Sequence, residues 1–140
     1  MAKDQRVELL RKVHLFSSCT DKQLGFIATR VEDVDVPNGK VLTEEGTSGG
    51  EMFVVVNGTA EVKRGGKVIA RLGPGDFFGE IALIDQGPRS ATVVATSPMR
   101  LLALGPRQFQ DVLYQDADMA RQLLYAVTKR LRATGFQPAD

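Results

Sequence analysis

Between Val31 and about Leu104 apolar residues recur at every second position, and turn residues interrupt them every several places. A two-residue period puts alternate side chains on opposite faces of a strand. Frequent turns keep each strand short, so the segment must build an antiparallel barrel or sandwich. The breaks are Pro37-Asn38-Gly39, the stretch from Gly46 to Gly50, Asn57-Gly58, Gly65-Gly66, Gly73-Pro74-Gly75 and Gly87-Pro88. Asn57-Gly58, between Met52–Val56 and Thr59–Lys63, predicts a two-residue hairpin, because that turn needs positive φ at both central positions. Gly65-Gly66, between Val62 and Val68, predicts another.

On both sides of this segment the period returns to three and four. Val7, Leu10 and Val13, with Leu9 and Phe16, mark a first helix. A second, short helix starts at Thr20, where Gln23 three residues on completes a capping box and Leu24, Ile27 and Ala28 form the buried face. Beyond the strands, Pro106 suits a first helical turn, and Phe109, Val112 and Leu113 follow at helical spacing. After Gln115-Asp116 a longer helix carries Met119, Ala120, Leu123, Leu124, Val127 and Leu131 on one face. Its other side, with Arg121, Lys129, Arg130 and Arg132, reads as a solvated basic face. The expected architecture is mainly β: a jelly-roll-like antiparallel β-roll (a double-stranded β-helix) over residues 31–104. Helices flank it over 1–30 and 106–134, with a loose tail from Phe136 to Asp140, all in a single domain, 1–140.

Composition narrows the function by exclusion. The one cysteine, Cys19, forbids an internal disulfide and points to a reducing compartment. The charged start MAKDQRVELLRKV is unlike a signal peptide, and no run approaches the roughly 18 apolar residues of a membrane span. A cytoplasmic protein without a membrane partner is the expectation. The one histidine, His14, stands among Val13, Leu15 and Phe16 and reads as a packing or surface residue. Zinc sites, and the metal-binding cupin type of β-roll, need several such ligands. A Ser-His-acid arrangement would rest on His14 alone, with no nucleophile motif nearby. The net charge of +1 calls for no polyanionic partner. A binding module is expected, not an enzyme.

The chemistry lies between Gly73 and Val93. Gly75-Asp76 turns the chain, Phe77 and Phe78 anchor it in the core, and Gly79 to Leu83 reads as one short helical turn. Gly87-Pro88 then reverses it into a strand, Ser90–Ala95. Glu80 and Arg89, with Asp76 and Asp85, are the formal charges of this mostly apolar segment. Glu80 and Arg89 either pair with each other, stand exposed at the two ends of a loop, or hold a ligand. Arginine presents a planar fork that matches two phosphate oxygens, and N–H groups at a helix start add anion donors. Gly79 lets the backbone approach closely. A carboxylate accepts from ribose hydroxyls. Phosphate and ribose grips within ten residues suit a nucleotide whose phosphate folds back on its own sugar.

Phe78-Gly79-Glu80-Ile81-Ala82-Leu83, followed by Pro88-Arg89-Ser90-Ala91-Thr92, resembles the phosphate-binding cassette of the cyclic-nucleotide-binding family. That family includes the bacterial catabolite activator protein, protein kinase A regulatory subunits and cyclic-nucleotide-gated channels. The resemblance continues upstream through Glu45-Gly46, Met52–Gly58 and Gly75-Asp76-Phe77, covering the chain from about Phe16 to Leu131. It implies that Glu80 accepts the ribose 2′-hydroxyl and that Arg89 pairs with the cyclic phosphate. The backbone of Gly79, Ile81 and Ala82 would line the phosphate, and Ser90 would add a hydroxyl or backbone donor. By strand position Val62, Ile69 and Ala70 form either the apolar wall of the pocket or plain core.

The implied ligand is cyclic AMP, with cyclic GMP less favoured. Ser90 matches the serine that follows the arginine in the catabolite activator, where cyclic-GMP-dependent kinases carry threonine and protein kinase A domains alanine. A serine hydroxyl would serve the phosphate or the amino group of a syn guanine. In the family the C-terminal helix closes over the ligand. Ala126-Val127 stand where the catabolite activator carries Thr-Ser, and Thr128 is displaced by one, which leaves Leu124, Tyr125 or Val127 to cap the base. The apolar stripe of that helix would bury itself on the roll, close over ligand, or pair with a second copy as a homodimer. No DNA-reading domain is expected within these 140 residues. Three outputs follow: a sensor acting on a separate downstream protein, a regulatory module of a larger protein, or a β-roll scaffold that binds no nucleotide.

Overall fold

The two-residue period resolves into eight antiparallel strands in two sheets. The computed structural model describes residues 1–133; the expected helix end at Thr134 and the tail from Phe136 lie outside the described residues. The chain divides into two compact units, one of residues 30–109 and one of residues 1–29 with 110 onward.

In the first unit one sheet runs β1–β8–β3–β6: β1 (Glu32–Val36), β3 (Met52–Asn57), β6 (Phe77–Phe78) and β8 (Met99–Leu104). The other runs β2–β7–β4–β5: β2 (Val41–Thr43), β4 (Ala60–Arg64), β5 (Lys67–Leu72) and β7 (Thr92–Ala95). The core lies between them. Phe53, Val55, Leu101 and Ala103 from one sheet pack with Ala60, Val93 and Ala95 from the other, and Phe78 stacks on Phe53 with ring centroids 5.1 Å apart. Leu101 sits mid-sheet, registered with Val34 on one side and Val55 on the other.

Gly65-Gly66 forms the expected hairpin: Arg64 pairs with Lys67, and both glycines have positive φ, +58° and +79°. The hairpin expected at Asn57-Gly58 does not form. β3 belongs to one sheet and β4 to the other, so the turn carries the chain across a corner. Asn57 pairs instead with Arg100 on β8. Gly58, at φ +95°, passes against the Pro98 carbonyl, and a Cβ there would stand 2.9 Å from the Met99 Cα. Of the two positive φ values expected, Gly58 has one and Asn57 does not. The purpose at Gly58 is close approach to β8.

The other unit begins with α1 (Lys3–Arg11) and a 3-10 turn, His14–Phe16. The first helix therefore ends earlier than its apolar period suggests, while Val13, Leu15 and Phe16 are still buried and His14 stands exposed. In α2 (Asp21–Ala28) the Thr20 hydroxyl accepts from the Gln23 N–H at 3.2 Å, and the Gln23 side chain accepts from the Thr20 N–H at 2.9 Å. Leu24, Ile27 and Ala28 are buried as expected. Gln23 also donates to Asp116 at 2.8 Å. That bond, reinforced by the Asp118 N–H, holds the Asp116 carboxyl below the ordinary aspartate range. Burial, aided by the Asp116 charge, pushes the Cys19 thiol up to about 11. Such a thiol is no nucleophile at neutral pH.

α4 (Pro106–Gln115) starts at the expected proline. α5 (Met119–Ala133) buries Met119, Leu123 and Ala126. Ala120, Leu124, Val127 and Leu131, expected on the same face, are exposed. Two neighbouring apolar stripes share the helical period, and packing takes the one through Ala126. The Thr128 hydroxyl donates back to the Leu124 carbonyl at 2.9 Å, within its own helix.

Candidate functional site

Glycine and proline set the entry to the site. Gly73 to Asp76 form a turn with Pro74 second and Gly75 third at φ +90°, the dihedral a type II turn requires there. The Asp76 side chain accepts from the Gly73 N–H at 2.8 Å, and Asp76 and Gly75 bond to Val55 on β3. Phe78 then anchors the chain in the core.

Gly79 caps α3 (Glu80–Asp85) at φ +85°. A Cβ there would stand 2.7 Å from the Glu51 carbonyl and 2.9 Å from Arg89 Nη1, so both dihedral and space demand glycine. Ala82 and Leu83 pin the short helix to the interior, while Ile81 and Ile84 face outward. Gln86 ends the helix in the left-handed region at φ 52°. Asp85 accepts from the Gly87 N–H at 2.8 Å, which tightens the reversal.

The returning chain reaches the strand later than expected: β7 begins at Thr92, not Ser90. The intervening backbone is held by the stretch from Gly46 to Gly50 instead. Ser48 bridges to Pro88, Arg89 N–H donates to the Thr47 carbonyl at 2.8 Å, and the Arg89 carbonyl accepts from Gly46 at 2.9 Å. The Ser90 carbonyl accepts from Arg64 Nε at 3.0 Å.

Arg89 is half-buried, and its Nη1 is buried with no hydrogen-bond partner among the described residues. Burial pulls the guanidinium below the usual arginine range, while the nearby Glu51 charge acts the other way. A buried donor without an acceptor costs about 1–3 kcal/mol. An acceptor brought to that nitrogen would recover this cost.

Gly79, Glu80, Ile81, Ala82, Asp85, Pro88, Arg89 and Ser90 enclose a cleft of about 180 Å³. The six cassette residues named from sequence meet there. Asp85 and Pro88 were not singled out as lining residues; they fall between the two halves of the motif, and their place depends on the reversal at Gln86. Val62, Ile69 and Ala70 are not among the residues that line this cleft. Val62 is half-buried and packs on the core of the roll. Ile69 and Ala70 lie exposed on β5, an edge strand, so neither is plain core.

A family model described as the cyclic nucleotide-binding domain matches residues 33–116, a span that contains the whole cleft. The chain belongs to that family. It is 23% identical over 138 residues to a CRP-like cAMP-activated global transcriptional regulator of Mycobacterium tuberculosis, covering 95% of this chain and 62% of that one. It is 31% identical over 131 residues to a cAMP-dependent protein kinase regulatory subunit of Hypocrea atroviridis, covering 94% of this chain and 28% of that one. It therefore spans less than two thirds of either relative. Among solved structures it is similar to the N-terminal domain of a transcriptional regulator from Streptomyces coelicolor A3(2). The TM-score there is 0.83, with 34% identity and coverage of 94% of this chain and 98% of the other. These relatives are named as regulators. Among the described residues no helix is long and apolar enough to cross a membrane.

Proposed function

We propose that this cyclic nucleotide-binding domain is a cyclic AMP sensor, residues 1–140 acting as one regulatory domain without catalysis of its own. The observation that carries the reading is the buried Nη1 of Arg89, without a partner among the described residues, beside a cleft that Glu80 also lines. Arg89 takes the cyclic phosphate. Glu80 accepts the ribose 2′-hydroxyl, the backbone of Gly79, Ile81 and Ala82 faces the phosphate, and Ser90 adds a donor. Cyclic AMP is favoured over cyclic GMP because two relatives carry cAMP in their names and because serine follows the arginine.

Ligand acts by shifting an existing equilibrium, and only by the difference in its affinity for the two states. Movement of the C-terminal helix is the output, passed to a separate downstream protein. The exposed Leu124, Val127 and Leu131 on α5 suit a second copy in a homodimer. The lone, half-buried Cys19 fits a reducing, cytoplasmic setting.

Calorimetric titration of protein stripped of nucleotide tests this directly; the chain has no tryptophan to report binding by fluorescence. The expected result is micromolar or tighter binding of cyclic AMP, about −8 kcal/mol, with cyclic GMP weaker or silent. Silence with both ligands in a folded sample overturns the reading and leaves the roll as an interaction scaffold.

A further inference from the structure

The stretch from Gly46 to Gly50 reads from sequence only as a turn, yet in the fold it embraces Arg89. Its backbone bonds the Arg89 N–H and carbonyl at Thr47 and Gly46. Its Gly49 meets the side chain. A Cβ on Gly49 would stand 3.0 Å from Arg89 Nε, 3.1 Å from Nη2 and 3.4 Å from Cζ. It would be nearly equidistant from the two nitrogens and farther from the carbon, so Gly49 faces the Nε–Nη2 edge of the fork. Gly79 borders Nη1, where a Cβ would stand 2.9 Å away. The guanidinium therefore sits in a slot with a glycine at each margin. Gly79 needs to be glycine for its positive φ in any case. Gly49 has no such positive φ. Its missing side chain matters for the space it leaves.

We infer that Gly49 is a positioning residue for the phosphate ligand: by lacking a Cβ it sets where the Arg89 fork stands in the cleft. A methyl group there would press on two guanidinium nitrogens at once and move the fork by a few tenths of an ångström. Bidentate recognition of phosphate depends on geometry as well as charge, and small misplacements of a positioning group are expensive. This inference rests on the reading of Arg89 as the phosphate ligand.

The test is a double-mutant cycle in the full chain, read by NMR titration with cyclic AMP up to millimolar concentration. Gly49→Ala is expected to weaken binding about fivefold in the otherwise unchanged protein. In an Arg89→Lys background, which has no planar fork to displace, the same change should cost under about twofold. Lys40→Ala, an exposed position outside the cassette, should bind like the parent. Equal losses in both backgrounds, or no loss in the parent, overturn the inference. If the parent binds no cyclic AMP, the ligand reading itself has failed, and the Arg89 Nε–Hε resonance then decides the positional claim without ligand. Displacement of that resonance in Gly49→Ala, and not in Lys40→Ala, supports the claim; an unmoved resonance overturns it.

Discussion

The two sheets of the roll use apolar residues for different ends. In β3 and β8 neighbouring residues are buried on both faces, with Val54, Val55, Leu101 and Leu102 at most 1% exposed. In β5, at the margin of the other sheet, Lys67 to Arg71 are all exposed, Val68 by 41% and Ile69 by 49%. The first sheet holds the fold. The second sheet and the loop leading into it present the chemistry, since Arg89 and Ser90 enter β7 and Arg64 of β4 grips the Ser90 carbonyl. Binding residues carried on a connecting segment can change without unfolding what supports them.

That contrast is broken most easily at Leu101. Leu101→Ala removes a fully buried side chain at the middle of the first sheet and should cost about 3 kcal/mol in urea unfolding. A loss below about 1 kcal/mol would mean that the first sheet is not the support it is taken to be. Arg89→Ala should show the opposite pattern. Calorimetry is expected to find cyclic AMP affinity at least tenfold lower, about 1.4 kcal/mol or more. The melting temperature should be unchanged or raised, because a buried donor without a partner has been removed. Unchanged affinity would end the assignment of Arg89 to the phosphate.

A smaller effect sharpens the role of Glu80. Charge-assisted hydrogen bonds are about twice as strong as neutral ones, so Glu80→Gln should lose about 1 kcal/mol of cyclic AMP affinity. The 2′-deoxy analogue should bind parent and variant alike. Equal losses for both ligands would place Glu80 somewhere other than at the 2′-hydroxyl. The smallest effect belongs to the exposed margin: Ile69→Ser should alter stability by less than about 0.5 kcal/mol. A loss like that of Leu101→Ala would erase the distinction between the sheets.

Much of this was legible in the sequence because local chemistry carried it. The Thr20–Gln23 box, the Gly65-Gly66 hairpin and the Pro106 helix start each depend on residues a few places apart, and each appears where its residues predict. Asn57-Gly58 shows the limit. Positive φ was readable at Gly58 but not at Asn57, and whether the pair closes a hairpin or turns a corner depends on Pro98 and Met99, forty residues away in the chain. The same holds for α5, where Met119–Leu123–Ala126 and Ala120–Leu124–Val127–Leu131 follow equivalent periods and only packing selects between them. At the site, Glu80 and Arg89 stand out as charges in an apolar stretch. Gly49 does not, because a glycine that makes room for a distant side chain looks like any other loop glycine.

The central claim is that Gly79 to Ala82 and Arg89 to Ser90 form one nucleotide site. Amide chemical-shift mapping on addition of cyclic AMP tests it most directly. The account predicts the largest shifts at Gly79, Glu80, Ile81, Ala82, Arg89 and Ser90, with the Leu101 and Leu102 amides in the buried sheet nearly still. Saturable shifts centred elsewhere, with these six amides unmoved, would contradict it.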